Sequence, residues 1–235
     1  MSTEPAFHPS SRKKLTRRDL PRFPDATLFH KLARVVCEAE CLPRRELFEA
    51  WMVARRVRRK LRGGRVLDLA CGHGLVAWVM LLLDDSSPNA LALDVRLPPS
   101  AARIADAMSC AWPRLAGRVV LEQRAIADAP VEHGDVVVAT HACGALSDAV
   151  IDKVLAARAQ LGLLTCCHDE ETCDMGGLRG WLDVSTAVDV TRVAKLRAHG
   201  YAVHTQLVPR EVTAQNRLLI ATHIDTCEVA TTLRA

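Results

Sequence analysis

From Arg65 to His223, short and almost wholly apolar runs alternate with stretches of helical periodicity, and this alternation constrains the chain more than any other feature. Strands are expected over residues 65–70, 90–95, 119–123, 135–140, 161–166, 201–208 and 218–223, and helices over 75–83, 100–111, 146–159 and 190–199. Strands that are apolar along their whole length must be covered on both faces, which is the property of a parallel sheet flanked by helices. The last two strands are joined without a helix, so they form an antiparallel hairpin at the sheet edge. The fold class is therefore α/β, a doubly wound Rossmann-like sheet.

At 235 residues the chain has room for one such domain, from about residue 63 to 235, and an N-terminal accessory part. Residues 1–26 read as a flexible basic arm ending in Pro21-Arg22-Phe23-Pro24, where two prolines oppose a helix. Residues 27–62 read as a helical segment. Leu28, Leu32, Val35 and Val36 recur at helical spacing behind Asp25 as N-cap, and a second helix over 44–61 buries Leu47, Trp51 and Ala54 before Gly63-Gly64 ends it. The net charge of +4 hides an asymmetry. Residues 1–64 hold 16 Lys and Arg against 7 Asp and Glu, and the remainder holds 15 against 20. A basic third on an acidic body suits a polyanionic partner.

Nine scattered cysteines, an odd number, and an N-terminus without an apolar segment indicate reduced thiols and a cytoplasmic setting rather than a disulfide framework. No apolar run approaches membrane-spanning length, so no membrane association is expected.

Val66-Leu67-Asp68-Leu69-Ala70-Cys71-Gly72-His73-Gly74 reads as strand, tight turn and helix. Glycines 72 and 74 let backbone approach a ligand, and the turn feeds a helix N-terminus whose free N–H groups favour a carboxylate. Asp94 closes the next strand, where a carboxylate can accept both hydroxyls of a ribose. Ligands of open α/β sheets sit at these carboxyl ends. The dinucleotide fingerprint would need a glycine at position 77, which is Ala.

The acid-x-x-x-Gly-x-Gly pattern resembles motif I of the class I S-adenosylmethionine (SAM)-dependent methyltransferases. The resemblance implies that SAM is the cofactor. Asp68, Ala70, Cys71, Gly72 and Gly74 would hold its methionine part, Asp94 and Val95 its ribose, and Ala125 and Ile126 its adenine, with His141 bordering the site. Two further segments, Thr140-His141-Ala142-Cys143-Gly144 and Cys166-Cys167-His168, are similar to those of the tRNA acceptor-stem ribose methyltransferases. They also resemble the methyltransferase-like domain of glutathione S-transferase C-terminal-domain-containing proteins. Asp169 stands where the tRNA enzymes carry a second histidine.

Both segments fall at strand ends that would face the transferable methyl group. His141 and His168 are candidate bases for a hydroxyl or ring nitrogen. Cys143, Cys166 and Cys167 are candidate nucleophiles for a pyrimidine carbon, or else small buried hydrophobes. A metal cluster of these cysteines with His168 and Cys173 would lack a paired C-x-x-C, so no metal ligands are assigned. Arg55, Arg56, Arg58, Arg59, Lys60 and Arg62, with Lys13, Lys14, Arg17 and Arg18, suit a phosphate backbone. The leading expectation is methylation of RNA, tRNA included. The alternatives are a small-molecule or protein acceptor, with helices 27–62 as a lid, and a non-catalytic SAM-fold module. Residues 209–215 read as a flexible gate and Asn216 as a turn residue.

Overall fold

The computed structural model describes residues 7–224. Helices α1 (Leu28–Ala39) and α2 (Arg44–Arg58) precede an alternating series. It runs β1 (Val66–Leu69), α3 (Leu75–Leu83), β2 (Ala90–Asp94), α4 (Ser100–Ala111), β3 (Val119–Gln123), β4 (Val136–Ala139), α5 (Ala145–Ala157), β5 (Gln160–Thr165) and α6 (Val184–Ala198). Strands β6 (Tyr201–Leu207) and β7 (Arg217–His223) close it. One seven-stranded sheet has the order β3-β2-β1-β4-β5-β7-β6. Every neighbouring pair from β3 to β5 is parallel, and β7 runs antiparallel between β5 and β6. The expected hairpin is therefore present, with its second strand inside the sheet and its first at the edge.

Side chains alternate between the faces of a strand, and the core divides accordingly. Val66, Ala92, Val138, Leu164 and Ile220 point toward α1–α4, whereas Leu67, Leu93, Val137, Leu163 and Leu219 point toward α5 and α6. Asp68 falls on the α3 side by the same count. Among the described residues no helix is long and apolar enough to cross a membrane.

The N-terminal segment departs from expectation. Its described part is packed, not a free arm. Leu15 is fully buried, its N–H donates to Leu42 O at 2.9 Å, and Lys14 bridges to Pro43. Phe7, Phe23, Phe29, Phe48 and Trp51 form an edge-on aromatic cluster that takes in all four phenylalanines of the chain. Despite Pro21, Arg17–Arg22 forms a 3-10 helix, held by reciprocal bonds between Thr16 and Asp19. A few large apolar anchors outweigh the polar composition around them. The cap of α1 is Thr27, which accepts from the His30 N–H, rather than Asp25. Helix α6 begins six residues earlier than expected because Asp183 caps it, accepting from Thr186 N–H at 3.0 Å.

Helices α1 and α2 share one continuous core with α3, α4 and the sheet. The contact is close at Gly162 of β5, where a Cβ would lie 2.5 Å from Val57 Cγ2 on α2. Gly162→Ala should therefore cost about 1–3 kcal/mol by overpacking. Combining it with Val57→Ala should cost less than the sum of the two single changes, as read by denaturant unfolding. Additive losses would mean that α2 is free to shift away from the sheet.

Candidate functional site

Asp68 is wholly buried at the end of β1, and its Oδ2 accepts the Ala77 N–H in the first turns of α3 at 3.1 Å. Burial pushes its carboxyl up to about 7, reinforced by nearby Asp94 and opposed by the Ala77 bond. Its Oδ1 is buried with no hydrogen-bond partner. The chain then turns sharply. Ala70 takes a left-handed conformation with φ 58°, which costs an alanine about 1–2 kcal/mol. Gly74, with φ 71°, opens α3, and a Cβ there would lie 2.6 Å from Leu121 Cδ2. Asp94 locks the turn from the neighbouring strand: its Oδ2 accepts the Gly72 N–H at 2.9 Å and its Oδ1 the Arg96 N–H at 3.1 Å.

These elements border a cavity of about 600 Å³. Ala70, Cys71, Gly72, Asp94, Val95, Ala125, Ile126 and His141 line it, as expected from the sequence. Asp68 and Gly74 do not line it, because the pleat turns them under α3 and against β3. They shape the turn rather than form the cavity wall. Glu46, His73, Arg124, Ala127, Leu146 and Ala149 also line the cavity. Glu46 comes from α2, and no local motif marked it. His73 Nδ1 lies 2.8 Å from Ser100 Oγ, and its Nε2 lies 3.6 Å from Glu46. Helix α2 thus contributes to the cavity wall through Glu46.

The cavity fits SAM on three counts. Gly72 presents backbone at the cavity wall, with open space where a Cβ would stand. Asp94 is held at the position where a ribose diol would be read. Val95 and Leu146 are exposed apolar side chains at the cavity, 65% and 49% accessible, that a nucleoside would cover.

A second cleft of about 250 Å³ adjoins the first and shares His141 and Glu46 with it. Arg12, Pro43, Arg45 and Glu49 complete its lining. Desolvation in this cleft holds the His141 pKa below the usual histidine value. Arg45 donates to Glu49 at 2.8 Å and to Thr213 Oγ1 at 3.3 Å. This anchors loop 209–215, whose Val212 and Thr213 are buried, so the expected flexible gate is a packed support. Asn216 closes its turn by donating to Val208 O at 2.7 Å.

The other sequence candidates lie off the cavity. His168 is turned toward α6, where its Nε2 lies 2.8 Å from Asp189 Oδ1 and its side chain is 4% exposed. Asp189 also accepts from Thr165 and Arg217, and His168 first, then these two, hold its carboxyl below the usual range against the effect of burial. His168 therefore belongs to a buried polar network with Asp189 and does not line the cavity. Cys143, Cys166 and Cys167 gather beside it with their sulfurs within 4.8 Å of one another. Cys173 accepts from buried Arg192, and Cys227 lies outside the described residues.

Glu46 supplies a pH test. Burial, reinforced by Glu49, raises its carboxyl to about 7 from 4.5. The folded state keeps that proton longer than the unfolded chain, so stability is lost as pH rises from about 4.5 through 7. Glu46→Gln should match the parent in thermal midpoint near pH 4.5 and exceed it above pH 7. A constant gap between the two melting curves would show that Glu46 ionises normally.

A family model described as a methyltransferase domain matches residues 48–174, which takes in the glycine turn, Asp94 and both cysteine-bearing segments. No curated protein matches the chain. Among solved structures, the tRNA methyltransferase TrmK of B. subtilis is similar with a TM-score of 0.51 at 15% identity, over 75% of this chain and 66% of that one. An O-methyltransferase family protein from Burkholderia thailandensis has a TM-score of 0.48 at 19% identity, over 89% of this chain and 68% of that one. The matched domain, the class I sheet order and a cavity that fits SAM agree, and the chain belongs to the methyltransferase-domain family, with SAM as its methyl donor.

Proposed function

We propose that this methyltransferase acts on RNA, with the acceptor nucleotide entering the cleft between His141 and Arg12. The observation that carries this reading is the placement of exposed Arg12, Lys13, Lys14, Arg17 and Arg18, a basic run whose first member lines that cleft. A phosphate backbone held along this run would present a nucleotide to the donor side. The fold shared with TrmK, a tRNA methyltransferase, is compatible with the same acceptor class.

SAM supplies an electrophilic methyl group on a sulfonium. The chain's own part is to hold and aim. The glycine turn and Asp94 fix the nucleoside end, Glu46 and His141 stand at the junction of the two cavities, and Arg12 and Arg45 offer cations to the incoming acceptor. Methyl transfer depends chiefly on such alignment. His141 is the polar ring positioned to accept a hydrogen bond from an acceptor N–H or O–H.

The basic end of α2 divides into two groups. Arg58 is buried at 3% exposure and donates to Met80 O, Leu61 O, Gly63 O and Ser87 Oγ beside Asp84, so it holds the fold and cannot meet RNA. Arg56 donates to the Met52 carbonyl within its own helix. Arg55, Arg59, Lys60 and Arg62 are exposed. Arg55 lies about 14 Å along α2 from Glu46, at the helical rise of 1.5 Å per residue, and the other three follow the end of the helix. An RNA that reaches both basic regions is longer than one nucleotide and engages an extended face.

Incubating the enzyme with labelled SAM and total RNA should place ribonuclease-sensitive label in the RNA. His141→Ala should lower turnover with SAM affinity kept, whereas Asp94→Ala should abolish SAM binding. RNA binding should weaken steeply with salt. Removing Lys13, Lys14 and Arg17 together should reduce the salt slope by about two to three, at roughly 0.7–0.9 per phosphate contact. Label only in protein or small-molecule fractions, or salt-independent RNA binding, would overturn the RNA reading.

A further inference from the structure

The C-terminal ends of β4 and β5 lie side by side, fixed by the parallel register Val136↔Gln160 through Ala139↔Leu163. The turn after β4 carries Cys143, and the residues directly after β5 are Cys166 and Cys167. The two turns are joined by the Gly144 N–H, which donates to Cys167 O at 3.1 Å. Gly144 has φ 57° and ψ −129°, a conformation open to glycine, and it releases the chain into α5 directly after Cys143. The three sulfurs lie within 4.8 Å of one another, and those of Cys143 and Cys166 are 2.9 Å apart. Cys143 and Cys167 are exposed and Cys166 is buried, so the cluster has a solvent-facing side and a protein-facing side.

We propose that Cys143, Cys166 and Cys167 form a binding site for a thiophilic divalent cation of the zinc class, with three protein thiolates and one open coordination position. Three soft ligands held on adjacent rigid strand ends match what such an ion needs, since Zn²⁺ takes thiolates at about 2.3 Å and fits a tetrahedron of ligands. Binding would replace three thiol protons, which leave to solvent, and would give a site of net charge −1. Burial, reinforced by the neighbouring thiols, raises the Cys143 and Cys166 thiols above the usual cysteine value, so a cation would displace their protons on binding. His168 meets Asp189 through Nε2 and is not among the clustered ligand atoms, which leaves the fourth position to water or a substrate atom. Three protein ligands and an open place are the pattern of a working site rather than of a closed structural one. The sequence offered these cysteines together with His168 and Cys173, and the pairing of β4 with β5 narrows that set to the three whose sulfurs meet.

The test is a titration of the full chain with Co²⁺ and then Zn²⁺, in a phosphine reductant without added thiols. One equivalent of Co²⁺ should give intense sulfur-to-metal charge-transfer absorption, displaced by Zn²⁺, and one Zn²⁺ should protect the two exposed thiols, Cys143 and Cys167, from a thiol reagent. Cys143→Ser and Cys167→Ser, at exposed positions that leave the core intact, should each weaken Co²⁺ binding at least tenfold, since even residues that merely support a ligand matter by roughly 10–100-fold. Cys110→Ser, elsewhere on the surface, should change nothing. Absence of the charge-transfer band would overturn the proposal, as would a band unchanged in both variants. A Cys143–Cys166 disulfide that persists in the reductant, seen by intact mass, would also overturn it.

Discussion

The hydrogen bond from the Gly72 N–H to the Asp94 carboxylate joins two neighbouring strand ends, and the arrangement of the site depends on it. It ties the turn after β1 to the end of β2. With the second oxygen engaged by the Arg96 N–H, the carboxylate is aimed by backbone on both sides. A charge-assisted bond of this kind is stronger than a neutral one. Beneath it Asp68 secures the other side of the turn by accepting from α3. Two acids therefore act in different ways: one is buried and orders the helix, the other is half-buried and lines the cavity. The left-handed Ala70 is strain located at the ligand-facing turn, sustained by the bonds around it.

The N-terminal helices belong to this machinery. Helix α2 packs against the sheet at Gly162 and projects Glu46 into the donor cavity and Arg45 and Glu49 into the adjoining cleft. The preceding segment brings Arg12 to the same cleft because Leu15 and the phenylalanine cluster fasten it down. Residues of the 12–49 stretch and His141 of the β4 turn together form the surface around that cleft. That surface is basic outside and acidic within, since Glu46 and Glu49 lie at its inner end.

Much of the sheet was legible because its strands are apolar throughout, and several boundaries, such as those of α3, α4 and β3, fell where the periodicity put them. The donor cavity was legible because a glycine turn after a strand and an acid at the next strand end leave little choice of geometry. What was hidden depended on distance in sequence. Glu46 reaches the cavity from a helix that precedes β1. Arg58 looked like one cation among six, yet its guanidinium is consumed by buried carbonyls and Asp84. His168 sits in a segment that resembles catalytic ones, and its partner Asp189 arrives from α6, a helix whose first turn Ser185 and Thr186 disguised as loop. The packed N-terminus was hidden because isolated Leu15 and Phe23 in a polar stretch carry no periodicity.

The turn after β4 is where these long-range effects converge, and buried Arg192 explains why it can hold a defined shape. Arg192, from α6, donates to both oxygens of Asp148 at 2.8 and 2.9 Å and to Gly144 O at 2.9 Å. A guanidinium at 2% exposure is costly to bury, and removing one partner of such a pair typically costs about 3–5 kcal/mol because the other charge is left uncompensated. The planar fork fits the carboxylate and the backbone carbonyl together, which an amine could not do. That one side chain thus fixes Gly144, the start of α5 and the facing helix. On the same short turn, Ala142 is buried as an anchor while His141 opens on the donor cavity and Cys143 meets the two cysteines of β5. Alternation about a single buried alanine therefore separates two chemistries two residues apart, and Arg192 keeps that separation rigid.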